Sequence, residues 1–249
     1  MEVRVLSTAF PVSPESSASA ANSRETLRIN EIFHSIQGES TRAGEPCVFV
    51  RMAGCPLRCT YCDTSYAFRE GRRETVDDVV AAVLGVGCPL VELTGGEPFA
   101  QACAFDLARR LCDLGLTVMA ETSGAIDLAG ADPRIEMILD IKTPSSGESH
   151  RTAWANVDRV DGNDEVKFVI GDRADYDFAK DIITSRALLG RARAILLSPT
   201  FSQAGNADIA GHVGLEPRLL AGWMLADRLP VRMQLQLHKF IWEPSTRGV

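Results

Sequence analysis

The sequence predicts an α/β protein in which parallel strands are joined by helical crossovers. Short apolar runs, typical of buried strands, alternate along the chain with segments whose apolar residues have helical spacing. Polar or glycine-containing segments directly follow several of these strands, and functional loops of parallel sheets gather at the carboxyl ends of the strands. The pattern fits either an open sheet or a barrel.

The first half of the chain is predicted to hold five strands and two helices. Residues 27–33 alternate apolar and polar side chains, and residues 47–52 (CVFVRM) form a short apolar run. A helix over residues 75–84 places its valines on one face, with Thr75 as the N-cap. Strands over 89–93 and 116–120 flank a helix marked by the apolar residues between 105 and 112, and a strand over 135–141 follows.

The second half repeats the alternation. Strands are predicted over residues 165–170, 194–197 and 231–237, and helices over 174–188 and 217–229. We find no internal repeat and no linker in this body, so we expect one domain over residues 27–249. Residues 11–23 are rich in Ser and Ala, without the basic start or long apolar block of a signal peptide. Residues 1–26 are therefore expected to be a disordered leader.

Composition excludes several classes of protein. The 249 residues are 45% hydrophobic and 24% charged, which is usual for a globular protein with a full core. The formal net charge of −7, without a dense basic run, disfavours binding to duplex nucleic acid or to an anionic membrane. No apolar run approaches the roughly 20 residues that span a bilayer.

Three of the seven cysteines are clustered in one polar, glycine-containing loop. Cys55, Cys59 and Cys62 have the spacing C-x3-C-x2-C. Thiolates hold iron–sulfur clusters, and three of them leave one corner of a four-iron cube without a protein ligand. Such an open position is what a catalytic metal site needs. The other four cysteines are expected to be small buried hydrophobes, and these are Cys47, Cys88, Cys103 and Cys112.

Two other interpretations of the trio remain open at this point. Structural zinc normally takes four ligands, often as two C-x2-C pairs, and no second pair lies nearby. Chance clustering of buried cysteines is the other.

A second motif, Thr94-Gly95-Gly96-Glu97-Pro98, follows a predicted strand. Alone it is weak evidence, because two glycines also simply permit a tight bend.

The two motifs together resemble the signature of the radical S-adenosylmethionine (SAM) superfamily. In that superfamily SAM chelates the open iron of a [4Fe–4S] cluster, and a reduced cluster cleaves it to a 5′-deoxyadenosyl radical. The resemblance implies a partial (β/α)6 barrel in a single domain. It also implies that Gly96 and Glu97 contact SAM. The cofactors would supply the difficult chemistry, while the protein orients them and excludes water.

A narrower resemblance covers residues 27–239. The segments Glu31-Ile32-Phe33-His34-Ser35-Ile36-Gln37-Gly38-Glu39, Cys62-Asp63-Thr64-Ser65-Tyr66-Ala67 and Gln236-Leu237-His238-Lys239 are similar to those of the 7-carboxy-7-deazaguanine synthase family. Members are lyases of the queuosine pathway. They convert 6-carboxy-5,6,7,8-tetrahydropterin to 7-carboxy-7-deazaguanine by radical ring contraction with loss of ammonia.

The family resemblance implies a role for particular residues. Arg51 would face the substrate carboxylate with its forked guanidinium, and Thr64 would ligate Mg²⁺ through a hydroxyl oxygen. Substrate contacts are implied for Ile36, Gln37, Gly38, Arg51 and Thr94. SAM contacts are implied for Tyr61, Cys62, Asp63, Gly96, Glu97, Asp140, Ile141, Lys142, Ser198, Pro199 and Thr200. A cytoplasmic homodimer reduced by a flavodoxin or ferredoxin is also expected.

Each role has an ordinary structural alternative. Arg51 is compatible with a solvated or structural arginine, and Thr64 with a cap or turn hydroxyl. Gln37 and Glu39 fit ordinary loop residues, and His238 and Lys239 fit the end of the last strand. Lys142 and Lys167 are compatible with surface lysines, the usual place for that residue.

Three departures from the family pattern stand out. Ser40 replaces a usual glycine, Asp140-Ile141-Lys142 replaces Ser-Pro-Lys, and residues 240–249 extend past the usual end.

Two rival functions remain: a glycyl-radical-enzyme activase, and a non-catalytic iron–sulfur or zinc module. An activase usually lacks the paired SIQGE and CDTSYA segments, and a module would use four protein ligands.

Overall fold

A computed structural model describes residues 26–249 of the chain. The expected disordered leader therefore lies outside the described residues, except for Thr26, which begins the first strand. In chain order the elements are β1 (Thr26–Ile36), β2 (Pro46–Met52), β3 (Arg72–Thr75), α1 (Val76–Val86), β4 (Leu90–Gly95), α2 (Cys103–Asp113), β5 (Thr117–Thr122), β6 (Glu136–Asp140), α3 (Trp154–Arg159), β7 (Glu165–Ile170), α4 (Arg173–Ser185), β8 (Ala194–Pro199), α5 (Pro217–Asp227), β9 (Arg232–Met233) and α6 (His238–Ile241).

Within residues 26–249 the strands form one nine-stranded sheet in the order β3-β1-β2-β4-β5-β6-β7-β8-β9. Seven of these strands, β2 and β4 through β9, run parallel to one another. The sheet is open, because β3 and β9 lie at its two ends. The predicted α/β class and the partial barrel are both confirmed.

An antiparallel extension at one end was not predicted. Strand β1 pairs antiparallel with both β2 and β3. The turn between β1 and β2 is tight: Gln37 N donates to Glu45 O at 2.8 Å, and Gly44 N donates to Gln37 O at 2.8 Å. A short connection of this kind joins antiparallel neighbours, whereas parallel ones need a crossover.

The last predicted strand was wrong in extent. Residues 231–237 pair with β8 only through Arg232 and Met233. Beyond them the chain turns toward the carboxyl end of the sheet, where Gln234 N donates to Leu197 O and Leu237 N donates to Gly38 O, both at 2.9 Å. His238 therefore begins the short helix α6 rather than ending a strand.

Two apolar clusters form the core. The first joins β1, β2, β4 and β5 to α1 and α2, and the second joins β7 and β8 to α4 and α5. Strand β4 is buried over Leu90–Thr94, as expected for a central parallel strand covered on both faces. Cys47, Cys88 and Cys112 belong to the first cluster and Cys103 packs against it, which confirms the prediction for these four cysteines. None of the helices among residues 26–249 is long and apolar enough to cross a membrane.

The start of α1 provides a test of the local sequence reasoning. Thr75 Oγ1 accepts a hydrogen bond from Asp78 N at 3.1 Å, and the Asp78 carboxylate accepts one from Thr75 N at 3.4 Å. This reciprocal capping box satisfies two backbone donors.

We expect Thr75→Ala to lower the free energy of unfolding by about 1 kcal/mol in a urea titration, with Thr75→Ser as the control that keeps the hydroxyl. Equal stability of the alanine and wild-type proteins would contradict this role.

Candidate active site

A cavity of about 620 Å³ opens at the carboxyl ends of the parallel strands. Successive strands reach it with their last residues, for example Arg51 on β2, Thr94 on β4, Asp140 on β6 and Ser198 on β8. Parallel strands bring their carboxyl ends to one edge of the sheet, which is why residues far apart in sequence meet there.

Most of the residues to which the sequence assigns a cluster, Mg²⁺, SAM or substrate contact lie in the wall of this cavity. Seventeen of these residues line it: Ile36, Gln37, Gly38, Arg51, Cys55, Cys59, Tyr61, Cys62, Asp63, Thr64, Thr94, Gly96, Asp140, Lys142, Ser198, Pro199 and Thr200. Glu97 and Ile141 are both fully buried and lie behind the wall. The structure thus brings the three cysteines and the polar residues together, while the individual contacts to SAM and substrate stay predictions.

The cysteine loop is anchored at both ends by backbone hydrogen bonds. Gly54 N donates to Ala67 O at 2.8 Å, and Thr60 N donates to Ser146 O at 3.0 Å. Its thiols border a small apolar cluster that includes Leu57 and Tyr61. Burial raises the pKa of Cys55 to about 11 and that of Cys62 to about 12. Metal-free thiols there are protonated at neutral pH, so metal binding must release protons.

The donor set fits an iron–sulfur cluster better than zinc. Three thiols of one loop face the cavity, and the other four cysteines are outside its lining. Within residues 26–249, no group of three or more His, Cys, Asp or Glu side chains is placed to hold a single metal ion. A cluster of several irons is held by thiolates on different corners, so it does not require that they converge on one ion.

The Gly95–Gly96 turn packs directly on the cysteine loop. Gly95 has φ +120°, and a Cβ at Gly96 would overlap the carbonyl of Gly54. Glu97 N donates to that same carbonyl at 2.9 Å. The Glu97 carboxylate accepts from Thr122 Oγ1 at 2.7 Å and from Ser123 N at 2.8 Å. Glycine is therefore needed here for close backbone packing, and Glu97 fastens the turn to the end of β5.

Three residues that line the cavity carry a buried oxygen with no hydrogen-bond partner among the described residues. The oxygens are Tyr61 Oη, Asp140 Oδ1 and Thr200 Oγ1. The other Asp140 oxygen accepts from Lys142 Nζ at 2.7 Å. Unsatisfied buried polar atoms are costly and uncommon, so these oxygens fit a wall that binds a polar ligand such as SAM.

Arg51 is ion-paired within the wall. Its Nε donates to Glu31 Oε1 at 2.7 Å, and Tyr66 Oη donates to the same oxygen at 3.2 Å. The Arg51 side chain is only 16% exposed, so a fully solvated arginine is excluded. The bond to Glu31 uses one edge of the guanidinium, and the two Nη groups are the part with which an anion could pair.

For Lys142 and Lys167 the alternative of a surface lysine is wrong. Lys167 is 4% exposed, and the Lys142 side chain is 14% exposed. Lys167 Nζ donates to Glu39 and, at 2.6 Å, to Glu121 Oε1. Burial alone would lower the pKa of Lys167, but attraction to Glu121 and Glu39 outweighs it and raises the pKa well above its ordinary value. The available signal was the apolar run EVKFVI, in which Lys167 occupies a strand position.

Sequence reasoning gave no role to several further members of the wall. They include Phe33, Phe49, Tyr66, Glu92, Glu121 and residues 244–249. Glu39 lies among them with its carboxylate accepting from Gln234 Nε2 at 2.9 Å and from Gln236 Nε2 at 3.0 Å. Glu39 is thus a fixed part of the site rather than an ordinary loop residue.

Thr64 lines the cavity beside the ion pair between Asp63 and Lys239. Its hydroxyl donates to Asp63 Oδ1 at 2.9 Å, and the other Asp63 oxygen accepts from Lys239 Nζ at 2.8 Å. Thr64 precedes a short 3-10 helix but makes no side-chain cap bond to it. Burial alone would raise the pKa of Asp63, but Lys239 outweighs it and holds the pKa far below its usual range. Asp63 therefore stays ionised beside the Thr64 hydroxyl.

Ser40 adopts the conformation that explains the usual glycine at its position. Its φ is +66°, in the left-handed region. Ser40 N donates to Gln234 Oε1 at 2.7 Å, and Ser40 Oγ accepts from Arg42 N at 3.0 Å. These bonds hold a serine in a backbone conformation that glycine adopts more easily.

Comparison with known proteins agrees with this geometry. Residues 49–185 match the radical SAM superfamily. The chain is 48% identical over 226 residues to the 7-carboxy-7-deazaguanine synthase of Chlorobaculum tepidum, spanning 90% of this chain and 97% of that protein. It is 43% identical over 228 residues to the enzyme of the same name from Koribacter versatilis, spanning 90% and 100%.

A solved structure shares the fold. The crystal structure of QueE from Escherichia coli superposes with a TM-score of 0.66 at 22% identity, covering 86% of this chain and 95% of that one. The identity to the two enzymes above extends over nearly their whole length. The chain therefore belongs to the 7-carboxy-7-deazaguanine synthase family of the radical SAM superfamily.

Proposed function

We propose that this protein converts 6-carboxy-5,6,7,8-tetrahydropterin to 7-carboxy-7-deazaguanine, with ring contraction and loss of ammonia. The observation that carries the proposal is one cavity that holds the cysteine trio together with Gln37, Arg51 and Thr94. The names of relatives up to 48% identical support the same reaction. A glycyl-radical activase is not favoured, since these relatives carry a different name.

A [4Fe–4S] cluster bound by Cys55, Cys59 and Cys62 would supply the electron that cleaves SAM. The chain's own task is to hold SAM beside the open corner and to keep water out. The apolar border of the cysteine loop, which includes Leu57 and Tyr61, serves the second need. We assign SAM contacts to Tyr61, Cys62, Asp63, Gly96, Glu97, Asp140, Ile141, Lys142, Ser198, Pro199 and Thr200.

The remaining wall suits a carboxylated pterin. The guanidinium of Arg51 matches the substrate carboxylate. Glu121 on β5 pairs with Lys167 on β7. The Glu121 carboxylate is an acceptor for the N–H groups of a pterin ring. Ile36, Gln37 and Gly38 enter the cavity where β1 ends, and Thr94 where β4 ends. The substrate would thus lie between a cation for its carboxylate and acceptors for its ring.

Three further parts of the proposal concern partners. Thr64 ligates Mg²⁺, with substrate oxygens and waters completing the shell, because hard cations prefer oxygen ligands. A flavodoxin or ferredoxin is the proposed electron donor. The proposed assembly is a homodimer, in keeping with the family resemblance.

The cluster assignment predicts a matched pair of outcomes. Cys59→Ala removes one of three cluster ligands, so we expect anaerobically reconstituted protein to lose its iron–sulfur absorbance and to form no product. Cys112→Ala changes a cysteine of the core outside the cavity and should retain both. Iron content, the visible spectrum and product mass measure the result. Normal turnover by Cys59→Ala would defeat the proposal.

Arg51 provides a test of substrate orientation. Arg51→Gln keeps a polar side chain but removes the charge, so kcat/KM for the carboxylated pterin should fall about 10- to 100-fold, the usual range for losing a hydrogen bond to a charged group. Arg109→Gln is the control, because Arg109 pairs only at the surface with Asp106 and Asp113. An unchanged kcat/KM for Arg51→Gln would exclude the assigned contact.

Thr64 tests the magnesium proposal. Thr64→Ala removes the ligand oxygen, and we expect the Mg²⁺ concentration for half-maximal turnover to rise about tenfold. Thr64→Ser keeps the oxygen and should restore the wild-type titration. If the alanine variant shows the wild-type Mg²⁺ dependence, Thr64 is not a ligand.

A further inference from the structure

The cavity contains a buried carboxyl group that is not among the proposed SAM and substrate contacts. Glu92 lies on β4, two residues before Thr94 and on the same face of the strand, and it lines the cavity. It is only 3% exposed. Its Oε2 accepts a hydrogen bond from Nε2 of Gln37, the side chain placed against the substrate. A buried carboxyl in contact with a substrate-binding side chain requires an explanation.

Gln37 is held from both sides. Its Oε1 accepts from Glu39 N at 3.1 Å, while its Nε2 donates to Glu92. If the carboxamide were flipped, its amino group would face the N–H of Glu39, and its oxygen would face the Glu92 carboxyl. The pair of partners therefore selects one orientation. Nε2 also donates to Met119 Sδ at 3.8 Å, so one lone pair of the Gln37 oxygen remains for a ligand.

The charged groups around Glu92 shift the pKa of its buried carboxyl. Glu121 and Glu39 face it from β5 and from the loop after β1, Lys167 faces it from β7, and the Cys47 thiol is its neighbour on β2. Burial, followed by repulsion from Glu121, raises the pKa of Glu92 to about 8. A raised pKa favours the neutral carboxyl, which can still accept the Gln37 hydrogen bond through an oxygen.

We propose that Glu92 is a positioning residue that fixes the carboxamide of Gln37 in one orientation, so that Gln37 presents its amide oxygen to the pterin ring as an acceptor. The inference rests on the proposed function, which places Gln37 against that ring. A ring N–H would donate to this oxygen, whereas a flipped carboxamide would present its amino group to the same N–H. Glu92 thereby contributes to substrate recognition without contacting the reacting atoms.

The test uses two variants of Glu92 in the reconstituted holoenzyme. Glu92→Leu removes the acceptor, and the KM for the carboxylated pterin should rise about tenfold, as for the loss of a positioned hydrogen bond, with little change in kcat. Its melting temperature should equal or exceed that of wild type, because an apolar side chain replaces a buried carboxyl. Glu92→Gln retains an acceptor oxygen and should restore KM to within about threefold of wild type.

A second measurement does not depend on turnover. The equilibrium dissociation constant for 6-carboxypterin, a stable oxidised analogue, should rise in Glu92→Leu in parallel with KM. A double-mutant cycle then tests whether Glu92 acts through Gln37. In a Gln37→Ala background, Glu92→Leu should change KM less than twofold, because the group that it positions is gone.

The outcomes separate this inference from the proposed function. If wild-type protein does not convert the pterin, the proposed function fails, and the inference fails with it. If wild type is active but Glu92→Leu keeps the wild-type KM, only the positioning role is overturned. The positioning role is also overturned if the effects of Glu92→Leu and Gln37→Ala on KM multiply independently in the double variant. It is overturned as well if Glu92→Leu lowers the melting temperature and the cluster content enough to account for the lost activity.

Discussion

The hydrogen bond from Glu97 N to Gly54 O is the contact on which the arrangement of the site depends. It joins the turn after β4 to the start of the cysteine loop, and the Glu97 carboxylate joins the same turn to the end of β5. The cysteines therefore keep a fixed place relative to the strand ends. Gly96 permits this contact, because any Cβ there would overlap the Gly54 carbonyl.

A second constraint is the balance of charge inside the cavity. Glu39, Glu92 and Glu121 approach one another, and the ammonium group of Lys167 pairs with two of them. Burial would raise the pKa of all three carboxyls. Lys167 and the amides around Glu39 reverse this for Glu39, whose pKa is lowered, but not for Glu92 and Glu121, whose pKa values are raised. The site thus combines one carboxyl whose pKa is lowered with two whose pKa values are raised.

Local patterns in the sequence predicted the alternation of strands and helices and the meeting of the two motifs. Thr75 and the four structural cysteines behave as their sequence context indicated. Strand β3 was missed because Arg72–Thr75 is charged and carries no apolar period. Lys167 and Glu92 were missed for a different reason. Each lies in a strand, and a buried charge is acceptable only with partners that the tertiary fold supplies from other strands.

The ends of the open sheet limit how this protein can meet another chain. An unpaired strand at the margin offers free backbone groups on which a foreign strand could form. Here one margin is β3, whose Arg72 and Arg73 are exposed, and the other is β9, which is only two residues long. Both features discourage strand addition. A second copy would therefore associate through side chains on the helices and loops, not by continuing the backbone ladder.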